Sequence, residues 1–132
     1  MSSFTDYTEN LVLTWLLTNG SATRPTAWYV GLFTAAPSDT GGGTEVSGSA
    51  YARVVTGTIT VSGTSPTNAT NAAAIEFAAA SGGNWGSIGW AGIFDASTTG
   101  NLLAWAPLTT ARTINSGDVL RIPATSLSIT LA

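Results

Sequence analysis

Apolar residues near the start of the chain recur at intervals of three and four positions, which is the period of one face of an α-helix. The residues with this spacing are Leu11, Val12, Trp15 and Leu16. Asp6, followed three residues later by Glu9, resembles a helix N-cap, and Gly20 is expected to end the helix in a left-handed conformation. The pattern therefore predicts one amphipathic helix over Tyr7–Thr18, within the range 6–19.

The next segment, Ala27–Phe33, is apolar at nearly every position and rich in β-branched and aromatic residues. Such a run is typical of a strand that is covered on both faces, so it predicts a central strand of a sheet. We expect the helix to cover one of these faces, because it is the nearest element in sequence and has an apolar stripe of its own. The segment Ala35–Gly43 then carries one proline and three successive glycines, which indicates a flexible exposed loop.

A second apolar pattern lies between Trp85 and Leu108. Large apolar residues alternate with small ones as far as Phe94, the polar segment Asp95–Gly100 interrupts them, and the apolar pattern resumes at Leu102. Two alternating runs joined by a short polar segment predict a β-hairpin. We interpret this hairpin as the packing centre of the fold.

The remaining apolar runs are short and separated by polar turns. The predicted strands are Val54–Val61, Ala72–Phe77, Arg112–Ile114, Val119–Ile122 and Leu127–Leu131, and the predicted polar turn region is Ser62–Asn71. Strands at this spacing favour a mainly β fold: an antiparallel β-sandwich or jelly-roll-like fold of seven to nine strands with one N-terminal α-helix, in a single domain over 1–132. The residues expected to be buried include Trp28, Val30, Leu32, Ile88, Trp90, Ile93, Phe94 and Leu103.

Composition narrows the functions that such a fold can have. Charged residues make up only 8% of the 132 residues, so copies of this surface repel one another weakly and we expect a subunit of an assembly. The net charge is −3, with four basic residues that do not cluster, which disfavours nucleic-acid binding. The lack of an apolar run of 18 residues argues against a membrane span.

The chemistry of common active sites has little support in this chain. Histidine and cysteine are absent, which excludes thiolate catalysis, histidine acid–base chemistry and ordinary zinc or haem sites. The seven acidic residues are scattered along the chain, and Asp95 and Asp118 lie in turns where aspartate commonly bonds its own backbone. We therefore expect no enzyme, no cofactor and no bound metal, although distant carboxylates of a glycosidase could still meet in space.

Two segments are the candidate contacts with a neighbouring subunit. The loop Ala36–Ser49 and the N-terminal Ser2–Thr5 could each be ordered against another copy. Arg53 has two interpretations, as a clamp within its own subunit, which we favour, or as a clamp on a neighbour. The candidate contact residues are Ser2, Ser3, Phe4, Asp39, Gly41, Gly42, Gly43, Glu45 and Arg53.

The five tryptophans suggest an alternative use of the hairpin. An indole face suits the ring of a sugar, so exposed tryptophans could form a carbohydrate-stacking platform. The hairpin lacks the cluster of Asp, Asn or Gln residues that would bind sugar hydroxyls. Burial in the core or at a subunit interface is therefore the favoured interpretation.

The order of several short motifs along the chain resembles a family of small tailed-bacteriophage structural proteins. These motifs are the helix segment ending in WLL, then WYVGLFTAAPSD, GTEVSGSAYAR, ATNAAAIEF, WGSIGWAGIFDA, NLLAWAPLTT and INSGD. Members of that family are labelled as virion structural or tail-fibre-like proteins, and some resemble capsid decoration proteins.

The resemblance implies a non-enzymatic virion protein that is assembled in the host cytoplasm. The function expected first is capsid decoration, in which the protein binds and stabilises the head lattice. The alternative is a tail or tail-fibre component involved in binding a host receptor or glycan. The expected partners are copies of the chain itself, as a trimer, and the major capsid protein or another virion protein.

Overall fold

The computed structural model describes residues 3–131. One helix and eleven strands follow one another along the chain, and most of the strands are short. The elements are β1 (Ser3–Phe4), α1 (Asp6–Leu17), β2 (Tyr29–Ala35), β3 (Thr44–Glu45), β4 (Val54–Val55), β5 (Ile59–Ser62), β6 (Thr67–Asn71), β7 (Ile75–Glu76), β8 (Gly86–Phe94), β9 (Leu102–Ile114), β10 (Arg121–Ile122) and β11 (Ser128–Leu131). Strands account for 41% of the residues and the helix for 9%, so the prediction of a mainly β, antiparallel fold with one N-terminal helix is confirmed.

The predicted hairpin is the centre of the largest sheet. The strand order in this sheet is β1-β9-β8-β2-β3, β4 also pairs with β2, and all the pairs are antiparallel. In the hairpin, Gly92 lies opposite Trp105 and Phe94 lies opposite Leu102. The second arm continues to Ile114, so the prediction of a separate strand at Arg112–Ile114 is wrong. A register shift between Ile88 and Trp90 accommodates the extra length of β9, and local periodicity does not reveal such a bulge.

Strand β2 is a central strand, as predicted. It lies between β8 on one side and β3 and β4 on the other, and Val30, Leu32 and Phe33 are buried. Val30 and Leu32 belong to the main core, whereas Phe33 belongs to a smaller cluster with Phe94. Because successive side chains of a strand point to opposite faces, both faces of the sheet contribute to a core.

The main core forms between the large sheet and the segments around the two-stranded sheet β10–β7. Its buried members are Val30, Leu32, Val46, Ile75, Phe77, Ala80, Trp85, Ile88, Ile114 and Leu120. Phe77 and Trp85 meet edge to face with ring centroids 6.2 Å apart, a favourable aromatic geometry. The sequence correctly predicts the alternation here, since Ile75 and Phe77 are buried and Glu76 is exposed.

The segment Val54–Val61 does not form the single strand that its alternation predicts. It contains β4 in the large sheet and β5 in a three-stranded sheet of order β11-β6-β5. Gly57, at φ 68°, separates them, because a positive φ breaks the extended backbone and glycine adopts it without steric cost. The sequence predicts only a polar turn for Ser62–Asn71, but this segment contains β6. The chain changes direction at Gly57, and β5, which follows, pairs with β6.

Helix α1 begins and ends within two residues of the predicted positions, but three details differ. Its N-cap is Thr5 and not Asp6, and Gly20 is not left-handed: the helix ends where Thr18 becomes extended, at φ −132°. The helix packs against β1 and β9 and not over β2. Buried hydroxyls explain this position, because Thr5 Oγ1 donates to the Leu102 carbonyl at 2.6 Å and Thr8 Oγ1 to the Leu103 carbonyl at 2.8 Å.

Six of the eight residues expected to be buried are buried, and Trp28 and Trp90 are only half-buried. Trp28 precedes the first residue of β2, so the sheet covers it incompletely. Trp90 packs against the smaller cluster of Phe33, Phe94 and Leu102. That cluster has few members, and the outer side of the Trp90 indole remains accessible.

Candidate assembly surface

Three segments meet near the turn of the central hairpin, and we call them the loop cluster: residues 4–7, 38–43 and 95–101. The Asp6 amide donates to the Asp39 carbonyl at 2.9 Å, which joins the start of the helix to the glycine-rich loop. Together the segments line a cavity of about 430 Å³. The loop cluster therefore brings the two predicted contact segments together within one subunit.

The glycine-rich loop has a defined conformation. The amide and carbonyl groups of Ser38 and Gly41 bond reciprocally, at 2.8 and 2.9 Å, and Ser38 Oγ also donates to the Gly41 carbonyl. Gly43 has φ 75°, and a Cβ added there would lie 2.8 Å from the Ala35 carbonyl oxygen. Only glycine fits this position, because both the backbone angle and the close approach exclude a side chain. The longer contact loop predicted over Ala36–Ser49 is interrupted by β3, which begins at Thr44.

Beside the loop cluster, Arg53 and Glu45 form a bidentate ion pair. Arg53 Nε donates to Glu45 Oε1 and Arg53 Nη2 to Glu45 Oε2, both at 2.7 Å. The Arg53 side chain is 8% exposed and that of Glu45 is 26% exposed. Two parallel charge-assisted bonds with so little solvent access make this pair far stronger than a surface ion pair.

The same guanidinium holds the hairpin turn. Arg53 Nη1 donates to the carbonyls of Ala96 and Thr99, at 2.9 and 2.7 Å, and the guanidinium carbon lies 3.3 Å from the centroid of the Phe94 ring. Asp95 closes the turn from within, because its carboxylate accepts bonds from the backbone and side-chain amides of Asn101. The turn is therefore fixed to the body of the sheet through one arginine.

Tyr51 connects this ion pair to the central strand. Its hydroxyl donates to Glu45 Oε1 at 2.8 Å and accepts the Leu32 amide at 2.9 Å. Burial raises the pKa of the Tyr51 hydroxyl well above its usual range, and the nearby Glu45 charge acts in the same direction. The neutral phenol is the form that satisfies both partners, since only it can donate to the carboxylate.

Replacing Tyr51 with phenylalanine is expected to lower the free energy of unfolding at pH 7 by about 1–3 kcal/mol, because the buried Leu32 amide loses its acceptor. The raised pKa gives a second signature. Above pH ~10 the unfolded wild type releases the Tyr51 proton while the folded state keeps it, so wild-type stability falls there. The difference in free energy of unfolding between wild type and Tyr51→Phe should then decrease as the pH rises.

Urea unfolding at pH 7 and at pH values above 10 measures this effect. Tyr7→Phe, at an exposed tyrosine of α1, is the matched control and should change stability by less than about 0.5 kcal/mol. A Tyr51→Phe variant as stable as wild type at pH 7 would contradict the structure.

The structure separates the predicted contact residues into three groups. Ser2 lies outside the described residues, and the backbones of Ser3 and Phe4 form the edge strand β1. Asp39, Gly41 and Gly42 line the cavity, and Gly43 is confined against Ala35. Glu45 and Arg53 bond to each other, which is the favoured interpretation of Arg53. Contact of these residues with a neighbouring subunit stays a prediction.

Two residues of this region were not predicted from the sequence. Thr5 attaches the helix to β9, and Tyr51 links Glu45 to β2. A threonine directly before a helix is a typical N-cap signal, so the position of Thr5 could have been recognised. For Tyr51, the sequence shows only that it lies two residues before Arg53, and the bond depends on the pairing of distant strands.

The tryptophans of the hairpin pack against the two apolar clusters and are buried to different extents. Trp85 is buried and its Nε1 donates to the Ser49 carbonyl at 3.0 Å, while Trp90 and Trp105 are half-buried against the smaller cluster. The most exposed indole is that of Trp15 in α1, at 71%. An exposed carbohydrate platform on the hairpin therefore has no support from these positions.

Within residues 3–131, no group of three or more acidic side chains is arranged to hold a metal ion. In the same part of the chain, the helix is neither long enough nor apolar enough to cross a membrane.

The fold and the loop cluster define a small, mainly β module whose loops are held by internal polar bonds. The family model described as "Podophage GP4 fiber I protein gp80" matches residues 3–130, so the chain belongs to this family of phage fibre proteins. The chain is therefore a virion component, and its resemblance to tailed-phage structural proteins is confirmed. A comparison with curated proteins finds no match.

Proposed function

We propose that the chain is a non-enzymatic structural component of a podophage tail fibre. The observation that carries this proposal is the family match over residues 3–130, which names a fibre protein. It supports the tail-fibre alternative over the capsid decoration that we expected first. Decoration of the head lattice is the weaker hypothesis because the family is described as a fibre protein.

The geometry supports an assembly role rather than a catalytic one. The clearest polar cluster, formed by Tyr51, Glu45 and Arg53, is occupied by internal bonds and holds the hairpin turn in place. Groups that are fixed and neutralised in this way are suited to maintaining the shape of a surface. We therefore assign the fibre role to protein–protein contacts, with other copies of the chain and another virion protein as partners.

Immunogold electron microscopy of intact phage tests this location. Antibodies against the purified chain should label the fibres at the tail, and the label should be absent from heads. Antibodies against the major capsid protein are the control for head accessibility. Labelling over the head surface would contradict the fibre role and restore the decoration hypothesis.

A further inference from the structure

The second half of α1 extends past the sheet that holds its first turn. Thr8 is the buried residue of the helix, and it bonds to Leu103 near the N-terminal end. Beyond it, five large apolar residues are exposed. They are Val12 (42%), Leu13 (55%), Trp15 (71%), Leu16 (62%) and Leu17 (71%).

These five residues span about 200° of the helix circumference. At 3.6 residues per turn, Leu13 and Leu17 lie on one side, Trp15 lies on the opposite side, and Leu16 lies between them. The apolar stripe by which a surface helix packs on its core is normally about 100° wide, so this surface is wider than packing on one sheet requires. The exposed half of α1 therefore lacks a partner among the described residues.

The exposed area is large enough for a specific interface. With roughly 150–250 Å² for each large side chain, these exposures sum to on the order of 500 Å². This value lies within the range of the largest apolar patch on a typical monomer. It is more than half of the roughly 800 Å² that each partner of a stable complex buries.

The charge pattern indicates what covers this surface. From residue 10 to residue 23 the sequence has no charged residue, so the exposed half of the helix has no charge with which a charged partner could pair. A second copy presents the same uncharged side chains, and a cyclic arrangement brings them together without like-charge repulsion. A lipid surface fits less well, because helices that lie on membranes are rich in Lys and Arg.

We propose that residues 12–17 of α1 dock against the same residues of other copies of this chain, so that apolar helices form the centre of a closed homo-oligomer with Trp15 as its main anchor. Trp15 is the largest of these side chains and, at 71%, is among the most exposed. Tryptophan is enriched among the hot spots of interfaces. The place of this interface in the virion rests on the proposed fibre role, whereas the docking itself is a property of the purified chain.

Sedimentation equilibrium of the full chain tests this proposal. We expect wild type to form a closed oligomer, and we expect the double variant Trp15→Gln/Leu16→Gln to raise the dissociation constant at least about 100-fold, since each truncation removes a central contact. Glutamine is a good helix former, so α1 should persist, and circular dichroism checks this. The matched control is Val61→Gln in β5, where a valine that is 66% exposed is replaced far from α1.

A thiol cross-link gives an independent measurement, because the chain has no cysteine of its own. Leu17→Cys should be converted to a covalent dimer by a short bismaleimide, and Val61→Cys should not. Equal assembly of wild type and the double variant would overturn the proposal. A monomeric wild type would also overturn it, whether that monomer floats with lipid vesicles or binds a different fibre protein.

The two proposals fail in different experiments. Gold label over the head would contradict the fibre role and leave the sedimentation result intact. If the helix does not mediate assembly, the position of the gold label on the phage is unchanged.

Discussion

Replacing Arg53 with methionine is expected to lower the free energy of unfolding by about 3 kcal/mol, which corresponds to a decrease of roughly 10 °C in melting temperature. The substitution leaves the Glu45 carboxylate, 26% exposed, without its bidentate partner. It also removes the donor to the carbonyls of Ala96 and Thr99, so the hairpin turn loses its attachment. Thermal unfolding by circular dichroism measures the loss.

The chain contains a matched control in its second ion pair. Arg121 and Glu76 lie 3.9 Å apart, and their side chains are 62% and 63% exposed. Because exposed pairs contribute little, Arg121→Met should change the free energy of unfolding by at most about 1 kcal/mol. The double variant Arg53→Met/Glu45→Leu should be more stable than Arg53→Met alone, since it removes the unpaired charge. Equal losses for Arg53→Met and Arg121→Met would contradict the structural role of Arg53.

Replacing Asn71 with alanine is expected to cost at least about 3 kcal/mol of stability. Asn71 is completely buried, its Nδ2 donates to the carbonyls of Ala73 and Pro123, and its Oδ1 accepts the Leu127 amide. Alanine leaves three backbone groups without their partner. Urea unfolding measures the total loss, and hydrogen exchange should show that the amides of residues 124–131 lose protection first.

Asn68 in the same strand is the control for this prediction. Its Oδ1 accepts a bond from Thr130 Oγ1 at an exposed position, so Asn68→Ala should cost less than about 1 kcal/mol. A loss of less than 1 kcal/mol for Asn71→Ala would show that the segment before β11 does not depend on this amide. Uniform loss of exchange protection throughout the chain would contradict its local role.

The elements predicted correctly are those whose signal is local. Helix α1 and the hairpin β8–β9 each have a periodic apolar pattern, and the central strand β2 is a continuous apolar run. The division of Val54–Val61 was missed because a glycine within an alternating run does not reveal whether the backbone adopts a positive φ, as Gly57 does. The three-stranded sheet of order β11-β6-β5 followed from that one change of direction.

The site was harder to predict than the fold, because more of its contacts depend on the pairing of strands that are distant in sequence. Arg53 could be singled out as a clamp, because it directly precedes a predicted strand, where its guanidinium can reach a carbonyl or carboxylate. Its bonds to Ala96 and Thr99 span more than forty residues and arise only when β4 and β8 both pair with β2. Likewise, the apolar stripe of α1 showed that the helix needs a partner but not that most of the stripe faces away from its own sheet.

The most direct test of the fibre role is mass spectrometry of phage particles separated into heads and tails. The account predicts that peptides of this chain are recovered with the tail and fibre fraction, in a constant ratio to the other tail proteins. Depletion of the chain from heads should match that of known tail proteins. Recovery in the head fraction, in a constant ratio to the major capsid protein, would contradict the account.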